Sequence, residues 1–283
     1  MRNNLAFATI FKSASALLVT IFSASCNHVF YQPHEKLYGN PSSLNLEYES
    51  FSVVSKDKDV ELQAWHIKPK GGSKNVAIMQ FHGNAENRST HFRSVAWLAE
   101  LGADVIVFDY RGYDGSTGSP SREGLVNDGI AMIDWMSNKF PNNRRYVIAQ
   151  SLGGAVAIPS IVQGKSQLDG LIVESSFHSY RGLGRMKLNG IWLTWPFQWL
   201  PWLLLSGNLN PMDDAANLNI PVLAFHDRYD PVVPLESGLL LYSSVPSSKI
   251  KVKILEGNRH IGALHSDRLE SIATAVQFLG LRQ

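Results

Sequence analysis

The sequence predicts an α/β fold: a mostly parallel, doubly wound sheet, opened by an antiparallel N-terminal hairpin and interrupted by a short Trp-rich insertion. Three observations lead there. Short Val/Ile/Leu-rich runs with little polar alternation recur at 76–81, 105–108, 146–149, 171–173, 222–225 and 250–255, as strands covered on both faces should. Helical patterns at 91–101, 122–139, 152–162, 235–244 and 267–279 alternate with them, which implies parallel pairing. Ahead of these, two polar-alternating stretches at 48–54 and 60–67 flank the charged turn Lys56-Asp57-Lys58-Asp59 and read as a hairpin.

Residues 1–26 differ from the rest. Arg2 and Lys12 are their only charges, and 13–24 is mostly apolar or small. That is the layout of a secretory signal, with an apolar stretch too short to span a bilayer comfortably. The single cysteine, Cys26, ends the run Ser23-Ala24-Ser25-Cys26, which resembles a bacterial lipobox with serine in place of the usual leucine. Lipidation at Cys26, ordinary cleavage beside the small residues Ser23 and Ser25, and an uncleaved anchor over 5–25 are three open readings. All three export the domain to the cell envelope, periplasmic or membrane-attached, and lipidation or an uncleaved anchor would give membrane association through the N-terminus.

The remainder, 27–283, is long enough for one large domain with a full core. A lone cysteine excludes an internal disulfide framework and any cysteine-rich metal site. The 26 basic side chains fall to 24 without Arg2 and Lys12, matching the 24 acidic ones. A balanced domain has no electrostatic footprint for nucleic acid.

The segment 178–219 is far longer than a usual connection between strands and reads as a cap. Trp192, Trp195, Trp199 and Trp202 recur there at i, i+3, i+7 and i+10, with Pro196 and Pro201 placed to interrupt any continuous helix. The first expectation is that these rings pack the cap onto the sheet. An apolar acyl pocket or a surface dipping into lipid are the functional alternatives, and the uses are not exclusive.

The string Tyr146-Val-Ile-Ala-Gln-Ser151-Leu-Gly-Gly-Ala155 reads as a buried strand turning through an exposed serine into a helix. A serine at so sharp a bend needs small neighbours, here Ala149, Gly153 and Gly154. Its hydroxyl needs an imidazole to take the proton and a carboxylate to orient that imidazole. Downstream, a strand ends in His226-Asp227-Arg-Tyr-Asp230-Pro-Val-Val-Pro234. Asp230 lies farther into the loop and is the better acid, whereas Asp227 suits a turn cap. After the last strand comes Glu256-Gly-Asn-Arg-His260, whose histidine can reach the serine from above. His265 competes, but it falls at the opening of the final helix. Oxyanion donors are expected from the backbone N–H groups of Leu152 and of Asn84, in the glycine turn Phe81-His82-Gly83-Asn84.

With these strings in place, the chain resembles the α/β-hydrolase-fold serine hydrolases, in the branch of monoacylglycerol lipase-like and serine aminopeptidase-like proteins. The matching strings are Phe-His-Gly-Asn at 81–84, Asp-Tyr-Arg-Gly-Tyr at 109–113, Gln-Ser-Leu-Gly-Gly at 150–154, Asp-Pro-Val-Val-Pro at 230–234 and Asn-Arg-His at 258–260. Ala149, Asp114 and Asp227 stand where the family usually has glycine, and Asp109 is expected to bond loop backbone rather than react. The resemblance implies a Ser151, Asp230 and His260 triad acting on a carboxylic ester, a lipid-like acyl ester among the candidates, with no metal or cofactor. Amide and thioester hydrolysis, and a non-catalytic binder of apolar ligands, are the alternatives.

Overall fold

The computed structural model describes residues 30–281; the signal-like segment and Cys26 lie outside them. Eight strands form one sheet: β1 (Tyr48–Val54), β2 (Glu61–Ile67), β3 (Val76–Phe81), β4 (Asp104–Phe108), β5 (Arg144–Gln150), β6 (Gly170–Glu174), β7 (Val222–Asp227) and β8 (Ile250–Leu255). They lie in the order β1-β2-β4-β3-β5-β6-β7-β8. β2 pairs antiparallel with both β1 and β4, and every pair from β4 onward is parallel. β3, β4, β6 and β7 are buried along their whole length, which is why they read as mostly apolar runs without polar alternation.

Each face of the sheet carries its own core. On one, α1 (Arg122–Lys139), α2 (Leu152–Gln163) and α6 (Leu235–Ser244) contribute Met132, Ile133, Val156 and Leu241. On the other, the segment after β3 and α7 (Leu269–Phe278) contribute Phe92, Leu98 and Ala275. The helix expected over 91–101 is instead one α-turn, Arg88–His91, followed by 3-10 turns at Phe92–Ser94 and Ala96–Leu101. The cause is local. The His91 carbonyl accepts from the Gln80 amide at 3.0 Å and the Ser94 hydroxyl at 2.9 Å, and such side-chain bonds compete with the helical ladder. The final helix starts at Leu269, not 267, because the Asp267 carboxylate is held outside it by Arg259 and His265.

Between β6 and β7 the chain forms α3 (Tyr180–Asn189), a 3-10 turn at Trp192–Phe197, α4 (Leu200–Leu204) and α5 (Pro211–Ala215). Pro196 sits in the 3-10 turn and Pro201 in the first turn of α4, so the four tryptophans never share one continuous helix. Their rings do not pack the cap onto the sheet, contrary to the first expectation: all four are between 55% and 76% exposed. Tyr180, Leu183, Pro201, Pro211 and Ala215 are buried instead. Arg122 supports them, with its guanidinium 3.8 Å from the Tyr180 ring centroid and bonded to the carbonyls of Ser206 and Asn208.

Arg111, just past β4, is buried with its guanidinium on Asp128 of α1 at 2.7 Å and on the Ser55 hydroxyl at 3.1 Å. Asp128 also accepts from Ser55 at 2.7 Å, so hairpin, β4 and α1 meet in one polar knot. Removing one partner of a buried pair strands the other charge. Asp128→Ala is expected to lower unfolding free energy by about 3 kcal/mol in a denaturant titration, the low end for such a loss because Asp57 still reaches Arg111 at 2.6 Å.

Candidate active site

Ser151 joins β5 to α2 at φ 55° and ψ −117°, a backbone conformation that L-residues adopt only when their surroundings impose it. The imposing contact is the approach of α2 to the end of β3. A Cβ on Gly153 would lie 2.0 Å from the Phe81 carbonyl oxygen, and one on Gly154 would lie 2.4 Å from the Ser176 hydroxyl. Both positions therefore require glycine. Ala149, by contrast, is fully buried in the core between β3 and β6, so its extra methyl is accommodated.

The three residues named from the sequence converge. His260, in the loop after β8, places Nε2 2.7 Å from the Ser151 Oγ. Its Nδ1 lies 2.9 and 3.0 Å from the two carboxylate oxygens of Asp230. A carboxylate can only accept, so Nδ1–H donates to Asp230 and Nε2 is left to accept from the serine hydroxyl. Burial alone would raise the Asp230 carboxyl. The hydrogen bond and charge of His260, with the N–H groups of Val233 and Val232 at 2.9 and 2.8 Å, outweigh burial and hold it below the usual carboxylate value. His265 faces away, bonded to Asp267 at the surface.

Asn84 and Leu152 border the cavity beside Ser151. Neither N–H meets an acceptor among the described residues, and Leu152 is the first residue of α2, where helix geometry leaves the group free. Asn84 is clamped from outside. Its carbonyl accepts from the Tyr113 hydroxyl at 2.9 Å, and its side-chain oxygen accepts from the Gln32 N–H at 2.9 Å. Gln32 and Pro33 run parallel to Ala85 and Glu86 as a short strand pair. Below the loop, fully buried Asp109 accepts from the Arg88 N–H at 2.7 Å and pairs with its guanidinium, the structural use expected of it. Asp114, where the family usually has glycine, takes the same guanidinium at 2.9 Å.

Two supports escaped sequence reasoning. Glu174, at the end of β6, accepts from the N–H groups of Gly262 and Ala263, both at 2.5 Å, and from the Gln150 amide at 2.8 Å. It thereby joins the residue before Ser151 to the loop carrying His260. Asp227 accepts from the Arg259 N–H at 2.8 Å and from Arg268 at 2.6 Å, so it fixes the neighbouring loop rather than capping its own turn. The only sequence signal for Glu174 is a carboxylate closing an otherwise apolar strand.

Above the serine lies a cavity of about 400 Å³, walled by Phe30, Phe177, Leu183, Leu188, Leu204 and Leu205 among others. Its one charged lining residue is Lys187, whose ammonium donates to the Pro231 carbonyl at 3.1 Å. No tryptophan lines it, so the rings do not form the acyl pocket either.

Residues 72–213 match the sequence pattern of the family described as serine aminopeptidase, S33. The chain belongs to this family. Among its relatives, the uncharacterized protein YfhR of Escherichia coli strain K12 is 33% identical over 247 residues, spanning 84% of this chain and 81% of the relative. The lysophosphatidylserine lipase ABHD12 of Mus musculus is 28% identical over 256 residues, covering 80% of this chain and 64% of that protein. The esterase Pf2001 of Pyrococcus furiosus superposes with a TM-score of 0.72 at 20% identity, covering 89% of this chain and 97% of that one. The fold is that of the α/β-hydrolases, and the chain is a hydrolase of that class.

His91 braces the Asn84 loop: its Nε2–H donates to the Ala85 carbonyl at 2.8 Å, and its ring stacks on His82 with centroids 5.2 Å apart. Burial, with the neighbouring His82, pushes its imidazole down to about 4. An unfolded histidine titrates near ~6.5, so between those values the unfolded chain binds more protons and stability falls as pH drops. The melting temperature is expected to decline from pH 6.5 towards 4 more steeply in the native chain than in His91→Gln, as scanning calorimetry at several pH values would read.

Proposed function

We propose that the protein is a serine hydrolase that cleaves carboxylic esters with apolar acyl groups. The observation that carries this reading is the Asp230, His260 and Ser151 hydrogen-bond chain opening into an apolar cavity. In the reaction, the ester carbonyl oxygen enters between the N–H groups of Asn84 and Leu152. Ser151 Oγ attacks the carbonyl carbon while its proton passes to His260 Nε2, and Asp230 stabilises the imidazolium. The tetrahedral oxyanion gains more from the two N–H donors than the ground-state carbonyl does, which lowers the barrier. His260 then gives its proton to the departing alcohol. In the second half, His260 deprotonates a water that attacks the acyl-enzyme, then returns that proton to Ser151 Oγ as the Oγ–acyl bond breaks and the carboxylic acid leaves.

An ester is favoured over an aminopeptidase substrate by the charge of the wall. A free α-ammonium calls for a carboxylate partner, yet no Asp or Glu lines the cavity, and its single charge is the cation of Lys187. That cation suits a carbonyl-rich or anionic group instead. The names of the mouse lipase and the archaeal esterase add support for ester chemistry. The thioester and amide alternatives share the same triad and differ only in the leaving group.

A fluorophosphonate probe is expected to label Ser151, by mass-spectrometric mapping, and to label neither Ser151→Ala nor His260→Ala. Absence of label on the folded native chain would remove the catalytic reading. Asp230→Asn, which leaves the imidazole in the wrong tautomer, is expected to lower kcat by about 10⁴-fold.

Acyl preference provides a separate check. Each buried methylene contributes about 0.8 kcal/mol, so kcat/KM on p-nitrophenyl esters is expected to rise from acetyl to medium-chain substrates by up to about fourfold per carbon. A steady decline from acetyl onward would sink the apolar-acyl assignment.

A further inference from the structure

We infer that the exposed face of the cap docks on an anionic lipid bilayer. Ile191, Trp192, Leu193, Trp195, Phe197, Trp199, Trp202 and Leu203 are all exposed within thirteen residues. Scattered exposed apolar residues need no explanation, but a contiguous group of this kind marks a contact surface. Neither of the ordinary uses absorbs it, because the indoles are outside both the core and the cavity wall.

Three observations name a bilayer as the occupant. The composition is interfacial: indole rings with polar N–H edges beside Leu, Ile and Phe favour the boundary between headgroups and acyl chains. The charge is one-signed. No Asp or Glu occurs from Ser175 to Met212, while Arg181, Arg185 and Lys187 do, the last two exposed, and cations next to an apolar face are drawn to anionic lipid. The third is where the chain arrives. Phe30 packs edge-on against Tyr180, the first residue of α3, with ring centroids 5.1 Å apart, so the apolar sequence 1–26 leads into the domain at the cap.

The consequence for the proposed hydrolase is a route for substrate. Leu200, Pro201 and Leu204 line the cavity, while Trp199, Trp202 and Leu203, interleaved with them, face solvent. A lipid-borne ester could pass along α4 into the cavity without crossing bulk water. This goes beyond the esterase reading, and the docking itself does not rest on it.

The test uses tryptophan fluorescence of the full chain, since no tryptophan lies before Trp65 and insertion of the N-terminus alone adds no signal. With vesicles of phosphatidylcholine and phosphatidylglycerol, brominated acyl chains are expected to quench a large part of the emission, while iodide in the water loses access to it. Vesicles of phosphatidylcholine alone are expected to bind about tenfold more weakly. The variant Trp192→Ser/Trp199→Ser/Leu203→Ser is expected to lose at least tenfold in hydrolysis of vesicle-borne ester and to keep its rate on a soluble short ester. If the indoles stay open to iodide and untouched by bromolipid on vesicle-bound protein, the proposal is overturned. It is equally overturned if they are shielded in lipid-free solution, by a second copy seen in sedimentation or by residues 1–29. Quenching needs no turnover, so loss of the esterase reading would leave a separate signature: docking without hydrolysis.

Discussion

The close approach of α2 to the C-terminal end of β3 governs the site. With Gly153 set against the Phe81 carbonyl, there is no room for any side chain, and the backbone at Ser151 is forced into its strained bend. That bend lifts the hydroxyl clear of the sheet and turns the Leu152 N–H toward the same space. It also brings the β3 loop, with Asn84, alongside. Serine, helix terminus and donor loop are therefore one geometric unit, set by backbone packing rather than by side-chain choice. Strain of this kind persists only where the surrounding structure over-determines it, and here parallel strands on both sides of β5 do so.

Around that unit, buried carboxylates act as ties between loops that are distant in sequence. Glu174 holds the His260 loop to β6, Asp227 holds it to β7, Asp230 holds the imidazole, and Asp109 holds the Asn84 loop to β4. Each accepts from backbone N–H or from a cation, so none of these four carboxylates is left unsatisfied. The arrangement explains how loops distant in sequence can present their reactive groups to one point. Loops are the mobile part of such a sheet, and each of these is fastened close to its reactive residue.

Much of this was legible in the sequence, for a physical reason. Strands covered on both faces have to be mostly apolar, so β3, β4, β6 and β7 announced themselves. Small residues around Ser151 were legible because a tight bend admits nothing else, and Asp230 was separable from Asp227 by its distance past the strand. What failed were properties that depend on a remote partner. Helical spacing tells which tryptophans share a face, but not whether anything covers that face. The break-up of 91–101 comes from Gln80, on another strand, and the role of Glu174 from a loop nearly ninety residues away.

Phe30 in the cavity wall has a further consequence for where the protein can work. Only three residues separate it from Cys26, and the four extended Cα-to-Cα steps between the two reach at most about 14 Å. A lipid anchor at Cys26 would act as a very short leash, holding the cavity mouth within that working radius of its own membrane. Such a protein could process molecules in the leaflet that holds it, and could not reach a facing membrane or sample the open solution. Lengthening the leash by insertion after Cys26 would widen the territory without touching a single residue of the site.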